Sequence, residues 1–188
     1  HSFRGDYRAL SKLKKVFPNL PVTAFTATAT KDVAKDIVSQ LNMIAPKTIM
    51  ASFDRPNLTL RIYERLDLDK QLLKFLNAHQ GESGIIYAGT RKKVDQLVKK
   101  KSQKNINTMG YHAGMSDAAR VKTHRAFILG TVDLVVATVA FGMGIHKPDV
   151  RFVCHVDMPK SMEQYYQEIG RAGRDGLPSE CVMFYGIQ

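Results

Sequence analysis

Short runs of β-branched and other apolar residues alternate along the chain with stretches in which apolar side chains recur every three or four positions. The short runs, at 22–26, 47–52, 84–88, 107–111, 132–138, 151–156 and 181–185, each predict a strand. Between them Ala34, Ile37, Val38 and Leu41 keep the spacing of one helix face, as do Leu68, Leu72, Phe75 and Leu76, and again Val94, Leu97 and Val98. Strands alternating with amphipathic helices predict an α/β fold on a mainly parallel sheet, because a crossover helix is the short way to bring the next strand back in the same direction. Ser116 and Ser161 predict helix starts, and Gln164, three residues after Ser161, predicts a capping box, so 161–169 is expected to be helical.

The rhythm breaks at Ser52-Phe53-Asp54-Arg55-Pro56-Asn57-Leu58, where the proline forces its predecessor out of the helical region. A linker is expected at 53–59. It divides 60–188, a complete small α/β domain, from 1–52, whose two strands and two helices are too few for a core of their own and read as the remnant of a larger domain.

Composition adds two constraints. The chain is 44% apolar and 24% charged without a low-complexity tract, which is globular, and no apolar run is long enough to span a bilayer. His1-Ser2-Phe3-Arg4 does not resemble a signal peptide, and Cys154 and Cys181 lack metal-site spacing, so the protein is expected not to be secreted, to lie in a reducing compartment and to hold no metal in these residues. The formal charge of +11 favours a polyanionic partner, DNA or RNA. Arg91, Lys92, Lys93, Lys99, Lys100, Lys101 and Lys104 fall within fourteen residues containing one acid, Asp95, as either an interaction surface or a solvated helix face.

In an open parallel sheet, ligands meet the loops that leave the carboxyl ends of strands. Four such segments carry chemistry here. Thr26-Ala27-Thr28-Ala29-Thr30 offers three hydroxyls without bulk, though a strand end followed by an N-cap explains it too. Ala88-Gly89-Thr90-Arg91 places a hydroxyl, a guanidinium and free amides at a helix start, a cradle for phosphate. His112-Ala113-Gly114-Met115-Ser116 also leads into a helix, and its histidine suits either a phosphate or a structural contact. In Thr138-Val139-Ala140-Phe141-Gly142-Met143-Gly144-Ile145 the glycines permit close backbone approach. Finally, Gln167-Glu168-Ile169-Gly170-Arg171-Ala172-Gly173-Arg174-Asp175-Gly176 sets two arginines three residues apart among glycines, the residue type that grips phosphate oxygens with a planar fork. A salt bridge from Arg174 to Asp175 or Glu168 is the structural alternative.

The ordered set TATAT, GIIYAGTR, YHAG, ATVAFGMGIHKPDVRFV and YYQEIGRAGRDG resembles the superfamily 2 helicases, and the last two segments resemble the RecQ family of DNA helicases in particular. The resemblance covers essentially the whole chain. It implies two RecA-like domains that clamp ATP and Mg2+ between them and draw single-stranded DNA through in the 3′ to 5′ direction, with this chain supplying the tail of the first domain and all of the second. It implies that Gln167, Arg171 and Arg174 act at the nucleotide, Arg174 as the arginine finger, with Gly144 and Gly170 also lining the cofactor. Thr26, Ala27, Thr28 and Ala29 would couple hydrolysis to DNA, and Phe3, Arg4, Thr90, Arg91, His112 and Thr138 would contact DNA, single-stranded or at a junction or overhang.

Two departures qualify the reading. No GxxxxGK[ST] loop and no Asp-Glu pair closing a β-rich run occurs, so the chain alone, expected to be monomeric, is not expected to hydrolyse ATP. His146 stands where the family usually carries an acid. The expected function is thus part of an ATP-dependent DNA helicase of repair and recombination, cytoplasmic or nucleoid-associated in a prokaryote and nuclear in a eukaryote. The alternative is a nucleic-acid-binding or adaptor module with the fold and no motor.

Overall fold

The computed structural model describes residues 10–26, 30–50, 54–142 and 144–186. Two compact units, His1–Asp54 and Arg55–Gln188, divide the chain. The first unit contains α1 (Ser11–Val16) and α2 (Lys31–Gln40). Thr30 caps α2, its Oγ1 accepting from the Val33 amide at 3.4 Å. Residues 22–26 and 47–50, expected as strands, have no regular structure, and 51–52 lie outside the described residues. The physical reason is that apolar content alone does not make a strand; ladder hydrogen bonds to a neighbour do, and no described strand pairs with either run.

In the second unit the expected rhythm is realised. In chain order it runs β1 (Leu58–Glu64), α3 (Leu68–Ala78), β2 (Ser83–Tyr87), α4 (Arg91–Ser102), β3 (Thr108–Tyr111), α5 (Asp117–Ile128), β4 (Leu134–Ala137), β5 (Val150–His155), α6 (Met162–Ile169) and β6 (Ser179–Tyr185). All strand pairs are parallel, in the order β1-β6-β5-β2-β4-β3. This is an α/β fold of the RecA-like kind.

β1 begins inside the stretch expected as linker. Its sequence, LTLRIYE, carries charges at Arg61 and Glu64 and is mostly exposed, because it pairs only with β6 and forms the sheet edge. Charge on an edge strand discourages pairing with another chain, and it also erases the apolar alternation that would announce a strand.

Strand alternation sorts the core into two layers. Ile86, Val136 and Cys154 point to one face with Leu72, Leu76, Val94 and Leu97 of α3 and α4. Ile85, Val135 and Val153 point to the other, with Phe127 of α5 and Ile169 of α6. Each fully buried side chain of this size contributes about 1.5–3 kcal/mol of transfer free energy, so these two faces hold the layers together. Gly84 is required where it stands: a Cβ there would lie 2.0 Å from the Phe152 ring.

Caps place the helices that follow the strands. Thr90, Ser116 and Ser161 accept from the amides of Lys93, Ala119 and Gln164 at 3.2, 3.3 and 3.2 Å. Gln164 Oε1 reaches the Lys160 amide at 3.3 Å, one residue before the cap itself. Cys154 and Cys181 are buried free thiols, each raised by burial, Cys181 to about 12. No described helix is long and apolar enough to cross a membrane.

Candidate functional site

The carboxyl ends of the central strands are stitched together by backbone bonds that continue past the ladder. The Ala88 amide donates to Ala137, Thr138 to Tyr111, and Val156 to Tyr87, at 2.8, 3.1 and 3.0 Å. The loops leaving β2, β3, β4 and β5 therefore emerge side by side. A parallel sheet makes this unavoidable, since all its strands end at one edge.

Two of these loops share one patch. Thr90 caps α4 and Arg91 is its first, exposed residue. The Arg91 side chain lies over the loop after β3: a Cβ on Gly114 would meet its Nη1 at 3.0 Å. His112 is 8% exposed. Its Nδ1 accepts from the Gly114 amide at 3.2 Å, which leaves the proton of the neutral ring on Nε2, 3.1 Å from Asp95 Oδ1. In this geometry both ring nitrogens of His112 are engaged within the chain, and the residue shapes the loop. Thr90, Arg91, His112 and the start of the loop at Thr138 are thus neighbours.

The lysine run divides by environment. Lys101 is 1% exposed, and desolvation lowers its pKa. Lys93 pairs with Asp157, which also accepts from the Gly89 amide at 2.8 Å, and Lys100 pairs with Asp69. The run is therefore neither one uniform surface nor one solvated face.

The second patch holds the two arginines. α6 ends at Gly170, and the chain turns through residues 171–176 before β6. Arg171 Nη1 donates to the Gly142 carbonyl, and its Nε is buried without a partner among the described residues. Arg174 donates from Nη1 to Ile145 O at 2.8 Å and from Nε to Gly170 O at 3.2 Å. Both guanidiniums are thus held by carbonyls of the loop after β4. Gly142 permits this, because a Cβ there would lie 2.8 Å from Arg171 Nη2. Gly144, with φ +80, lies between these carbonyls, and its own carbonyl accepts from His124 at 3.3 Å.

The acids that could have neutralised the pair are committed elsewhere. Asp175 is gripped by Arg151, and Glu168 lies against His155 at 2.7 Å while accepting from Gln164 at 2.9 Å. Among the described residues neither arginine has a carboxylate partner. Burial, then the nearby charges of Arg171 and Arg55, lower the pKa of Arg174, yet a guanidinium starts so high that it stays charged. Adjacent positive charges with unfilled donor capacity form a site for an anion with several oxygens.

Several residues around this patch carried no recognisable sequence signal. Arg55 Nη2 donates to the carbonyls of Ala172 at 3.0 Å and Gly173 at 2.7 Å. Asn57 Nδ2 donates to Gly173 at 2.9 Å and Leu177 at 3.0 Å. Beneath the arginines, Tyr87 donates to Phe141 O at 2.8 Å and stacks on His155 with ring centroids 5.4 Å apart. Arg55 and Asn57 fall in the stretch expected only as a linker.

Of the other expected site residues, Gln167 is an exposed residue of α6, and Thr26 precedes residues that are not described. Phe3, Arg4, Ala27, Thr28 and Ala29 lie outside the described residues. His146 is exposed, and the neighbouring Lys147, buried, pairs with Asp149 at 3.1 Å. No group of three or more His, Cys, Asp or Glu able to hold a metal ion occurs among the described residues.

The parallel sheet gathers hydroxyls, amides and unneutralised guanidiniums on adjoining loops at its carboxyl edge, an arrangement suited to phosphate groups. Residues 67–176 match the family described as helicase conserved C-terminal domain, and the chain belongs to that family. Within it the chain is a RecQ-type C-terminal region. It is similar to the ATP-dependent DNA helicase RecQ of Pasteurella multocida, 46% identical over 185 residues, covering 98% of this chain and 29% of that protein. It is also similar to the ATP-dependent DNA helicase Q-like 2 of Arabidopsis thaliana, 44% identical over 191 residues with 98% and 27% covered. A third relative is the ATP-dependent DNA helicase Q1 of Mus musculus, 44% identical over 192 residues with 100% and 30% covered. The chain thus spans about a third of the length of these relatives.

Proposed function

We propose that this chain forms part of an ATP-dependent 3′ to 5′ DNA helicase of repair and recombination, in which Arg171 and Arg174 reach the phosphates of a nucleotide held mainly by another RecA-like domain. The observation that carries the reading is that both guanidiniums are oriented by backbone carbonyls without an opposing carboxylate among the described residues. Carbonyls fix direction while leaving the charge available, whereas an ion pair would cancel it.

ATP with Mg2+ supplies the energy and the transferable phosphoryl group of this reading, and the phosphate loop and magnesium-holding acids belong to the partner domain. Arg174 stabilises negative charge on the departing phosphoryl group, Arg171 shares its grip, and Gly144, Gly170 and Gln167 border them. The first patch, with Thr90, Arg91 and Thr138, holds sugar-phosphate backbone through a hydroxyl, a guanidinium and amides, so binding is indifferent to sequence. His112 supports that track by shaping its loop. Single strands and junction or overhang duplexes are the substrates, at the nucleoid or in the nucleus. The roles of Phe3 and Arg4 as DNA contacts and of Thr26 to Ala29 in coupling hydrolysis to DNA are those the family resemblance implies.

In the full-length protein, Arg174→Ala is expected to reduce ATP turnover by roughly 10³-fold while leaving single-stranded DNA affinity within a few-fold of the parent. Turnover close to that of the parent contradicts the arginine-finger role and favours a binding module without a motor.

A further inference from the structure

The two arginines sit on a loop of small residues, and something must keep it from wandering. Between them Ala172 has only a methyl group, which is buried in the core, and Gly173 has no side chain to pack. Their carbonyls are fastened from more than a hundred residues away: Ala172 O accepts from Arg55, and Gly173 O from both Arg55 and Asn57. The clamp is itself oriented. Arg55 Nε donates to Asn57 Oδ1 at 3.4 Å, which directs the Asn57 amide nitrogen towards the loop, and the Asn57 carbonyl accepts from the Ser179 amide at 2.9 Å. Gly173 adopts φ +55, and a Cβ there would meet Asn57 Nδ2 at 2.5 Å and Ser179 Oγ at 2.8 Å, so the fit leaves no room for slack. On the loop's other side, the Gly173 and Asp175 amides donate to Val150 and Pro148 at 2.9 and 3.2 Å.

We propose that Arg55 and Asn57 are positioning residues that clamp the carbonyls between Arg171 and Arg174 and thereby aim both guanidiniums at the nucleotide. This rests on the reading of the arginine pair given above. Arg55 is suited to the task because its Nη2 takes two successive carbonyls at once while its Nε holds Asn57, and because carbonyl acceptors leave its charge beside the site. Arg55 also opens the second unit, so the first residue after the division between the units is bonded directly to the arginine loop.

The test uses the full-length protein with Arg55→Ala, Asn57→Ala, Arg174→Ala and the Arg55/Arg174 double alanine variant. In hydrogen exchange, the amides of Gly173, Asp175 and Gly176 are expected to exchange about tenfold faster or more in Arg55→Ala and Asn57→Ala, with the β2 and β5 amides unchanged. ATP turnover is expected to fall ~10- to 100-fold in each, because a displacement on the order of 1 Å is costly at a reacting centre, while single-stranded DNA affinity holds. Because Arg55 acts through Arg171 and Arg174, the double variant is expected to be slower than Arg174→Ala alone by less than the Arg55→Ala effect in the parent. Arg55→Lys keeps the charge and stem without the fork, guards against a folding failure, and is expected to show the same pattern at smaller amplitude. Turnover at the parental rate in Arg55→Ala or Arg55→Lys, unchanged loop exchange, or a double variant slowed by the full product of the single effects overturns the proposal. Parental turnover in Arg174→Ala is a different result and overturns the nucleotide reading instead.

Discussion

Arg151 grips both carboxylate oxygens of Asp175 at 2.6 Å, and so removes the acid that adjoins Arg174 in the chain. Sequence proximity offered Arg174 and Asp175 to each other. The fold instead brings Arg151 from β5 to the carboxylate, and Asp175 also accepts from the Leu177 amide at 3.1 Å.

The pairing has a pH signature. The Arg151 hydrogen bond holds the Asp175 carboxyl below its ordinary value of 3.8. A carboxyl depressed in the folded state stabilises the fold above its unfolded pKa, and that contribution is lost as the pH falls through the folded one. Asp175→Asn is therefore expected to lower the melting temperature at neutral pH. The gap between parent and variant should close as the solution is acidified below the ordinary carboxylate range. Melting curves across that range check it, and a gap independent of pH contradicts the assignment.

Glu168 and His155 meet at 2.7 Å with 3% and 1% of their surfaces exposed. Glu168→Ala strands His155 Nε2 in the core and takes the acceptor from the half-buried Gln164 amide, and is expected to cost about 3 kcal/mol. Glu168→Gln keeps an acceptor for one of them and should cost about 1 kcal/mol. Urea unfolding of the two variants measures the difference. Equal losses would mean that volume, and not the hydrogen bond, matters at this position.

Gly142→Ala tests how closely the loop after β4 supports Arg171. The new methyl group would stand 2.8 Å from Arg171 Nη2 and 3.2 Å from Val139 O. The guanidinium must move, whereas the fold has little reason to fail, since Gly142 is only half-buried. ATP turnover of the full-length protein is expected to drop by roughly tenfold or more with a melting temperature near that of the parent. Thermal melts and a turnover assay on the same preparation decide it.

Arg91 is exposed at the start of α4 and carries a charge that backbone phosphates would engage. Arg91→Ala is expected to weaken single-stranded DNA binding to a similar extent whatever the base sequence, and to reduce the slope of log affinity against log salt by about 1. Binding titrations at several salt concentrations on two unrelated oligonucleotides measure both quantities. An unchanged slope removes Arg91 from the track.

The sequence alone determined the elements that carry their own signal. Ile85-Ile86, Val135-Val136 and Val153-Cys154 are apolar on both sides because both faces of a parallel sheet are covered, and such runs are visible without a structure. Ser116 and Ser161 announced their helices because a capping hydroxyl acts within three residues. The order of the helicase motifs was legible for a related reason, since each motif is a local string of adjacent residues.

What only the tertiary structure decided are the relationships between distant residues. The strand β1 hid behind its charges because an edge strand is defined by its single neighbour, β6. The runs at 22–26 and 47–50 looked like strands, yet remain without regular structure for want of a ladder partner. Asp175 went to Arg151, Glu168 to His155, and the arginine loop to Arg55 and Asn57, each partner chosen by proximity in the folded chain. Hydrogen bonds and ion pairs act over a few ångströms of space and carry no memory of sequence separation, so local strings name the groups and only the fold assigns their partners.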